Sequence, residues 1–280
     1  MTKRYTKYKS ARLVALTLTS AGFALPGVGF ADTQSATAGS TQGRLVDNAP
    51  WNDVLNTYLV ESPDGIYRFD YGGLKADEDA RSRLGCYISA LAASPISSWT
   101  DEEQFAAYAN LYNALTVQIV VEHYPVDSIR DIGGGLFSRG PWKEDLITVE
   151  GESLSLDDIE HGILRERFDD PRVHYAVNCA SLGCPNLQPH AWTAETLDTD
   201  LNAAARAYIN HPRGVTVRSD GRLKLSSIYR WFREDFGSTE RGVIEHLLLY
   251  ADEDLTAQIN ARPDIANHVY DWSLNDATQE

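Results

Sequence analysis

The segment from Arg172 to Pro185 carries the most concentrated set of chemically reactive side chains in this sequence. It contains His174, Asn178 and two of the three cysteines, Cys179 and Cys184. Thiols and imidazoles this close in sequence are typical of nucleophilic catalysis, of metal binding or of a disulfide. The residue types alone therefore leave both an enzyme and a non-enzymatic protein open.

Cys179 is the residue best placed to act as a nucleophile. Alternating apolar side chains predict a strand over Val173–Val177, and Cys179 follows it almost directly. At that position a thiol is held rigidly, with backbone N–H groups nearby that can stabilise an oxyanion. A thiol also needs a base or a cation beside it to be nucleophilic at neutral pH, and His161 and His174 are the two candidates.

Two asparagines are candidates to orient that imidazole or to bind a ligand. Asn178 lies on the same face of the predicted strand as His174, and Asn113 lies on a helix that is apolar on nearly all sides. A buried amide must be hydrogen-bonded, so Asn113 either braces a loop or lines a site.

Glu160 lies on the apolar face of the helix predicted after Ser155. At 100° per residue it falls about 40° from Leu156, inside the apolar stripe. A carboxylate in that position must be paired, hydrogen-bonded or protonated. Glu160 is therefore either half of a structural ion pair, with Arg167 as its partner, or a site residue.

Two other interpretations of the cysteine loop remain open. Cys179 and Cys184 are near enough to form a disulfide, which an oxidising compartment favours. A zinc site of His174, Cys179, Cys184 and His190 has a spacing that matches no common ligand pattern, so we predict no metal and no other cofactor. We expect Cys86, within a predicted helix, to be a small buried apolar side chain.

The N-terminal segment predicts export. Residues 1–31 combine basic residues, the short apolar run Leu13–Leu25 and small residues before Asp32, as in a signal peptide. Residues 32–49 are rich in Ser, Thr, Gly and Ala, and we expect a disordered linker there. Residues 50–280 are then a single domain. These features predict a periplasmic or secreted protein with no membrane association after cleavage.

The charge balance excludes some partners. The chain has 25 Lys and Arg against 40 Asp and Glu, a formal net charge of −15, and removal of residues 1–31 would make it more negative. Such a field repels nucleic acid and anionic lipid. We therefore expect a small polar or peptide-like ligand, no nucleic acid, and a monomer by default.

Hydrophobic periodicity predicts an α+β fold: a mainly helical single domain around a small, largely antiparallel sheet. The sheet would contain two hairpins, the strand Val173–Val177 and a C-terminal strand from His268 to Leu274. The clearest helix begins at a capping box of Thr100 and Glu103. Other predicted helices cover 51–59, 76–93, the residues after Ser155, 193–208, 227–236, 239–250 and 254–261. The hairpins cover 146–156 and 215–225, and a short extended segment covers 66–71.

Five segments resemble the domain of unknown function 547 family: NLYNALT (110–116), LSLDDIEHGILR (154–165), HYAVNCASLGCP (174–185), LSSIYRWFREDFG (225–237) and YDWSLN (270–275). They occur in order between Trp51 and Asn275. The family includes secreted bacterial proteins and C-terminal modules of plant proteins that carry a coiled coil. The resemblance implies a cleft formed by Glu160, His161, His174, Cys179 and Asn113, with Asp235 as a weaker member. A papain-like or transglutaminase-like thiol site is a further analogy.

Two functions follow as hypotheses. The first is a cysteine-dependent acyl-transfer enzyme, hydrolase or amidase-like, with Cys179 as nucleophile and His161 or His174 as base. Glu160 would be an auxiliary acid or a clamp for a cationic substrate group. The alternative is a non-enzymatic periplasmic module that binds a small ligand and contains a Cys179–Cys184 disulfide.

Overall fold

The helix Asp101–His123 (α4) is the central element of the fold. Thr100 accepts a hydrogen bond from the backbone N–H of Glu103, whose carboxylate accepts one from the backbone N–H of Thr100, so the predicted capping box is confirmed. Nearly every side chain from Gln104 to Val121 is buried, because other elements pack on all sides of the helix.

The computed structural model describes residues 45–133 and 140–278. Residues from Val46 onward form one compact unit. The predicted signal peptide, residues 32–44 of the predicted linker and residues 134–139 of the glycine-rich loop lie outside the described residues. Within the described ranges no helix is both long and apolar enough to span a bilayer. The fold is α+β and mainly helical, as the sequence predicts.

The other α-helical segments of the described residues are numbered in chain order. They are α1 (Ala49–Tyr58), α2 (Tyr71–Ala76), α3 (Glu78–Ala92), α5 (Glu166–Phe168), α6 (Val173–Ala176), α7 (Leu197–Ile209), α8 (Ile228–Trp231), α9 (Glu240–Tyr250) and α10 (Glu253–Ala261). Helices α1, α3, α7, α9 and α10 lie where hydrophobic periodicity predicts helices.

The strands in the described ranges form three separate small sheets, whereas the sequence predicts a single one. The antiparallel pairs are β1 (Leu59–Glu61) with β2 (Tyr67–Phe69), β3 (Ile147–Val149) with β4 (Glu152–Leu154), and β5 (Val215–Val217) with β6 (Leu223–Ser226). The last strand, β7 (Ile265–Val269), pairs with β6 in parallel. Both predicted hairpins are present.

The strand predicted over Val173–Val177 is wrong, because these residues form the single turn α6. Its backbone bonds are helical, with the N–H of Val177 donating to the carbonyl oxygen of Val173. Alternation predicts a strand when one face is buried and the other is exposed. Here every side chain from Val173 to Asn178 is buried, so the alternation marks no face.

The predicted C-terminal strand is displaced toward the N-terminus. Strand β7 ends at Val269, and the chain from Tyr270 to Asn275 then leaves the sheet and lies along the cysteine loop. Three backbone hydrogen bonds connect the two segments: Leu182 N–H to Ser273 O, Gly183 N–H to Asp271 O, and Asn275 N–H to Ala180 O. We call residues 270–275 the C-terminal strap.

The helix predicted after Ser155 is a π-helix over Asp158–Arg165, continued by α5. The hydroxyl of Ser155 accepts a hydrogen bond from the backbone N–H of Asp158 at its start. Arg167 pairs with Asp101 at 3.0 Å, so it is not the partner that the sequence suggests for Glu160. Wide π-turns change which residues share a face, and they frequently occur at functional sites.

The prediction that Cys86 is a small buried apolar side chain is wrong, because its side chain is exposed. Its neighbours Leu84, Tyr87 and Ile88 occupy the buried face of α3. The helix can bury only one face here, and Cys86 lies beyond that face.

Candidate active site

A cleft with a cavity volume of about 180 Å³ brings together residues from both halves of the chain. Four of its lining residues are the predicted catalytic set, Glu160, His161, His174 and Cys179. The remaining lining residues are Tyr112, Trp142, Asp157, Val177, Cys184, Pro185, Ile228, Trp231, Phe232, Tyr270 and Trp272.

The cysteine loop places its two thiols against each other at the floor of this cleft. The sulfur atoms of Cys179 and Cys184 are 2.6 Å apart, and both cysteines are free thiols. Ala180 between them adopts a left-handed conformation with φ of 59°, which turns the chain back on itself. The loop therefore places both sulfurs at one point, with the Cys179 side chain the more exposed.

Hydrogen-bond donors surround the sulfur of Cys184. The backbone N–H of Cys179 donates to it at 3.0 Å and the hydroxyl of Tyr270 at 3.1 Å. Burial opposes ionisation, yet the hydrogen bonds from Cys179 and Tyr270 lower the pKa of Cys184 to about 7. The hydrogen bond with Cys184, together with burial, raises the pKa of Cys179 well above its ordinary value. The pair thus releases one proton near neutrality and retains the second.

Asp235 holds the imidazole of His174. Nε2 of His174 donates to Oδ2 of Asp235 at 2.6 Å, and Arg165 binds the same carboxylate through two nitrogens at 2.6 and 2.9 Å. Although Asp235 is partly buried, the hydrogen bonds from His174 and Arg165 hold its pKa well below the ordinary value. Burial lowers the pKa of His174 despite this partner, so the ring is neutral at pH 7. Its Nδ1 then carries the lone pair.

His161 lies between two carboxylates on the opposite wall. Its ring nitrogens are 3.8 Å from Asp157 and 3.7 Å from Glu160. It also packs against Phe232 with ring centroids 5.6 Å apart. The π-helix places both Glu160 and its sequence neighbour His161 on this cleft. In the described residues no hydrogen bond links either His161 or His174 to Cys179.

The two asparagines brace the cysteine loop from behind. The side chain of Asn113 donates to the carbonyl oxygen of Ala176 at 2.9 Å and accepts from the N–H of Asn178 at 2.8 Å. Asn178 in turn donates to the carbonyl oxygen of Pro185. Both amides are buried, and neither lines the cleft. Two of the predicted binding residues contact cleft-lining residues directly: Asn178 through Pro185, and Asp235 through His174.

Sequence reasoning missed Tyr270 and the ring cluster around it. The ring of Tyr270 lies 4.9 Å from Trp231 and 4.6 Å from Trp272, and Trp142 lies 5.7 Å from Trp272. The hydroxyl of Tyr270 contacts both thiols. The strap's aromatic residues at alternate positions were a signal, but they indicate a strand and not a site.

Of the zinc ligands considered from the sequence, His174, Cys179 and Cys184 line the cleft, but His190 does not. His190 lies 3.3 Å from Asp200, outside the cleft. Across residues 45–133 and 140–278 no group of three or more His, Cys, Asp or Glu side chains is positioned to hold a metal.

Residues 96–209 match the model of the family described as "Protein of unknown function, DUF547". This match supports the resemblance seen in the sequence. It includes Glu160, His174 and Cys179, whereas Asp235 and Tyr270 lie beyond it. No curated protein and no solved structure matches the chain significantly. The family description names no activity, so function has to be argued from the cleft.

Proposed function

We propose that the protein is a cysteine-dependent acyl-transfer enzyme that hydrolyses a small amide, ester or thioester. One observation supports this most: a histidine oriented by a carboxylate, His174 with Asp235, lines the same cleft as the thiol pair. A nucleophile together with a base that a third group orients is the general pattern of covalent acyl transfer. The geometry differs from a simple thiol–histidine pair, because Cys184 and not a histidine contacts Cys179.

Acylation begins at the more exposed sulfur. The Cys179 sulfur attacks the substrate carbonyl carbon, and its proton passes to the Cys184 thiolate 2.6 Å away. The carbonyl oxygen becomes an oxyanion. The tetrahedral adduct then collapses, the bond to the leaving group breaks, and the leaving group departs with the proton from Cys184. A thioester on Cys179 remains, and the Cys184 thiolate is regenerated.

Deacylation uses the neutral imidazole. His174 takes a proton from a water molecule as that water attacks the thioester carbon, and Asp235 stabilises the imidazolium that forms. Collapse releases the carboxylic acid, and the proton returns from His174 to the Cys179 sulfur. Amide, ester or thioester and water are thereby converted into an acid and a protonated leaving group.

The test is a panel of small acyl substrates, read by burst kinetics and by intact-mass detection of an acyl adduct on Cys179. Cys179→Ser should fold normally and lose turnover and the adduct, because a serine hydroxyl has a far higher pKa than a thiol. Cys86→Ser changes an exposed cysteine outside the cleft and is the matched control, with unchanged rates. A folded, fully active Cys179→Ser protein would contradict the proposal.

A second candidate function is a ligand-binding module in which Cys179 and Cys184 are bridged. The sulfur separation of 2.6 Å favours it, because little movement would complete a disulfide. The periplasmic or secreted location expected from residues 1–31 would also favour oxidation. A bridged pair has no nucleophile, and the cleft would then capture a small polar ligand without turnover. Oxidised protein that binds such a ligand tightly, with no activity in either redox state, would support this candidate instead.

A further inference from the structure

We propose that the cleft selects substrates that carry an ammonium group, bound between the carboxylates Asp157 and Glu160 and the ring cluster of Trp231, Tyr270 and Trp272. This inference names the substrate class of the proposed enzyme. It rests on the proposed function, because it takes the ammonium compound to be the acyl substrate.

The carboxylates give the cleft an unbalanced charge. Asp157 and Glu160 both line it, and no lysine or arginine is among the lining residues of the described ranges. The side chain of Glu160 is only 12% exposed. His161, within 4 Å of both carboxylates, is the one basic group beside them that lines the cleft. A buried carboxylate gains most from a cation that binds where water has been excluded.

Among the described residues, the basic side chains near the cleft already have partners or lie outside it. Arg165 binds Asp235 and Glu234 and also lies 3.5 Å from Nδ1 of His161. Lys143 is exposed at the surface and does not line the cleft. Burial raises the pKa of Asp157, against the opposing effect of His161. Within the described ranges, Asp157 is thus a desolvated carboxylate that nearby cations do not fully compensate, and a ligand cation would do so.

The aromatic rings supply the other half of a cation site. Trp231, Tyr270 and Trp272 contact one another with centroid distances of 4.6–5.6 Å. Arg130 already lies over Trp272 at 5.2 Å, which shows that this cluster accommodates a cation on a ring face. Trp231 is 46% exposed, so part of its surface remains open to a ligand. Ring faces attract ammonium groups electrostatically, most strongly when water is excluded.

Tyr270 connects this cation site to the thiols. Its ring packs on Trp231 and Trp272, and its hydroxyl lies 3.2 Å from the Cys179 sulfur. An ammonium group on the ring cluster is therefore about one tyrosine side chain away from the nucleophile. The substrate should have a short spacer between its ammonium group and its scissile carbonyl, as in an amino-acid derivative or an aminoalkyl ester.

The experiment measures binding in the Cys179→Ser protein, so that binding is separated from turnover. The probes are choline and its neutral isostere 3,3-dimethylbutan-1-ol, titrated by isothermal calorimetry and tryptophan fluorescence. Choline should bind about tenfold more tightly than the isostere. Glu160→Gln and Trp231→Ala should each weaken choline binding about five- to tenfold. Glu160→Gln should leave the affinity for the neutral isostere nearly unchanged, because that probe carries no charge. Glu195→Gln, at an exposed carboxylate outside the cleft, is the control.

Equal affinity for the two probes, or choline binding that neither variant changes, overturns the proposal. The absence of choline binding at up to about 50 mM overturns it as well. Failure of the proposed function is distinguishable. If the protein selects choline but the wild type turns over no acyl substrate, the cation site is supported and the proposed acyl-transfer activity is contradicted. If the wild type turns over neutral acyl substrates with no preference for ammonium compounds, the acyl-transfer activity is supported and the cation site is contradicted.

Discussion

The imidazole of His174 and the carboxylate of Asp235 form a 2.6 Å hydrogen bond across 61 residues of sequence. Because the same carboxylate binds Arg165, it stays ionised and accepts the Nε2 proton, which fixes the tautomer of the ring. Phe232 stacks on His174 with centroids 4.3 Å apart and restricts its rotation. The ring is therefore held in one orientation before any substrate arrives.

Replacement of Asp235 should impair this orientation. We expect Asp235→Asn to lower kcat by on the order of 10²- to 10⁴-fold with a small change in KM, because the amide can favour the wrong tautomer. Stability should fall by about 1–3 kcal/mol, since Arg165 and His174 lose their shared partner. Steady-state kinetics and urea unfolding measure the two effects. Glu234→Gln is the control: it also contacts Arg165 but is 77% exposed, so we expect a change below about 0.5 kcal/mol.

Activity should rise with pH through the titration of the thiol pair. The pKa of Cys184 is lowered to about 7, and its thiolate is the form that accepts the proton of Cys179. The acylation rate should therefore be low well below pH 7 and reach a plateau above it. Single-turnover rates across this range test the expectation. In Cys184→Ser this limb should disappear and the rate should fall, and an identical profile in that variant would count against the role of Cys184.

Alkylation should separate the three cysteines. In reduced protein the Cys179–Cys184 pair should react with iodoacetamide at pH about 7 faster than the exposed Cys86, because the pKa of Cys184 is lowered to about 7. Peptide mass spectrometry assigns each modified site. In protein purified without reductant, a linked Cys179–Cys184 peptide would favour the binding function, and two alkylated peptides would favour the enzyme.

The close approach between the cysteine loop and the strap should tolerate no side chain at Gly183. A Cβ atom there would lie 2.8 Å from the carbonyl oxygen and 2.9 Å from the nitrogen of Asp271, both in the backbone. We expect Gly183→Ala to destabilise the fold by about 1–3 kcal/mol and to slow alkylation of the pair. Gly85→Ala is the opposite case, since nothing lies within 4 Å of the added Cβ. In the interior of α3 it should stabilise by about 0.5–1 kcal/mol, and thermal unfolding compares the two.

Buried His246 should make the fold sensitive to acid. Burial, with a smaller effect of His174, lowers the pKa of His246 to about 4, and its ring shares a 2.8 Å hydrogen bond with Tyr175. Between pH 6.5 and about 4 the unfolded chain binds a proton there that the folded chain does not. The free energy of unfolding should therefore fall as pH falls through this window, by up to about 3 kcal/mol from this group.

His246→Gln removes this titration while keeping a polar partner for Tyr175. Urea unfolding at pH about 7.5 and about 4.5 should show an acid-induced loss about 2 kcal/mol smaller in the variant than in the wild type. Equal losses in the two proteins would assign the acid sensitivity to other groups.

Local signals predicted the helical frame well. The capping box at Thr100 and the apolar periodicity of α4 depend on residues a few positions apart, and both are confirmed. The turn α6 could not be predicted in this way, because its burial on all sides comes from elements distant in sequence, among them α7, the π-helix and the rings of Phe232 and Phe236. A pattern of alternate apolar residues has no directional meaning in a segment that is fully enclosed.

The catalytic set from the sequence lines one cleft, but its partners depend on tertiary structure. Asp235 was singled out only as a weaker member, and its contact with His174 spans 61 residues. Tyr270 contacts Cys179 from 91 residues away, on a strap that the sequence assigns to a strand. Asn113 was interpreted from the sequence as a buried amide that must be hydrogen-bonded, and it braces the cysteine loop. Asn178 was predicted only as a candidate to orient the imidazole or bind a ligand, and it is also a buried brace.

The C-terminal strap has a consequence for synthesis of the chain. Cys179 and Cys184 are translated long before Tyr270, whose hydroxyl contacts both sulfurs. The backbone bonds that fix their loop also come from residues 271–275. A nascent chain that has left the ribosome only as far as β7 therefore carries two thiols without these partners. The thiol pair therefore gains these partners only after the strap, 91 residues beyond Cys179, has been synthesised, and a chain that stops before the strap lacks them.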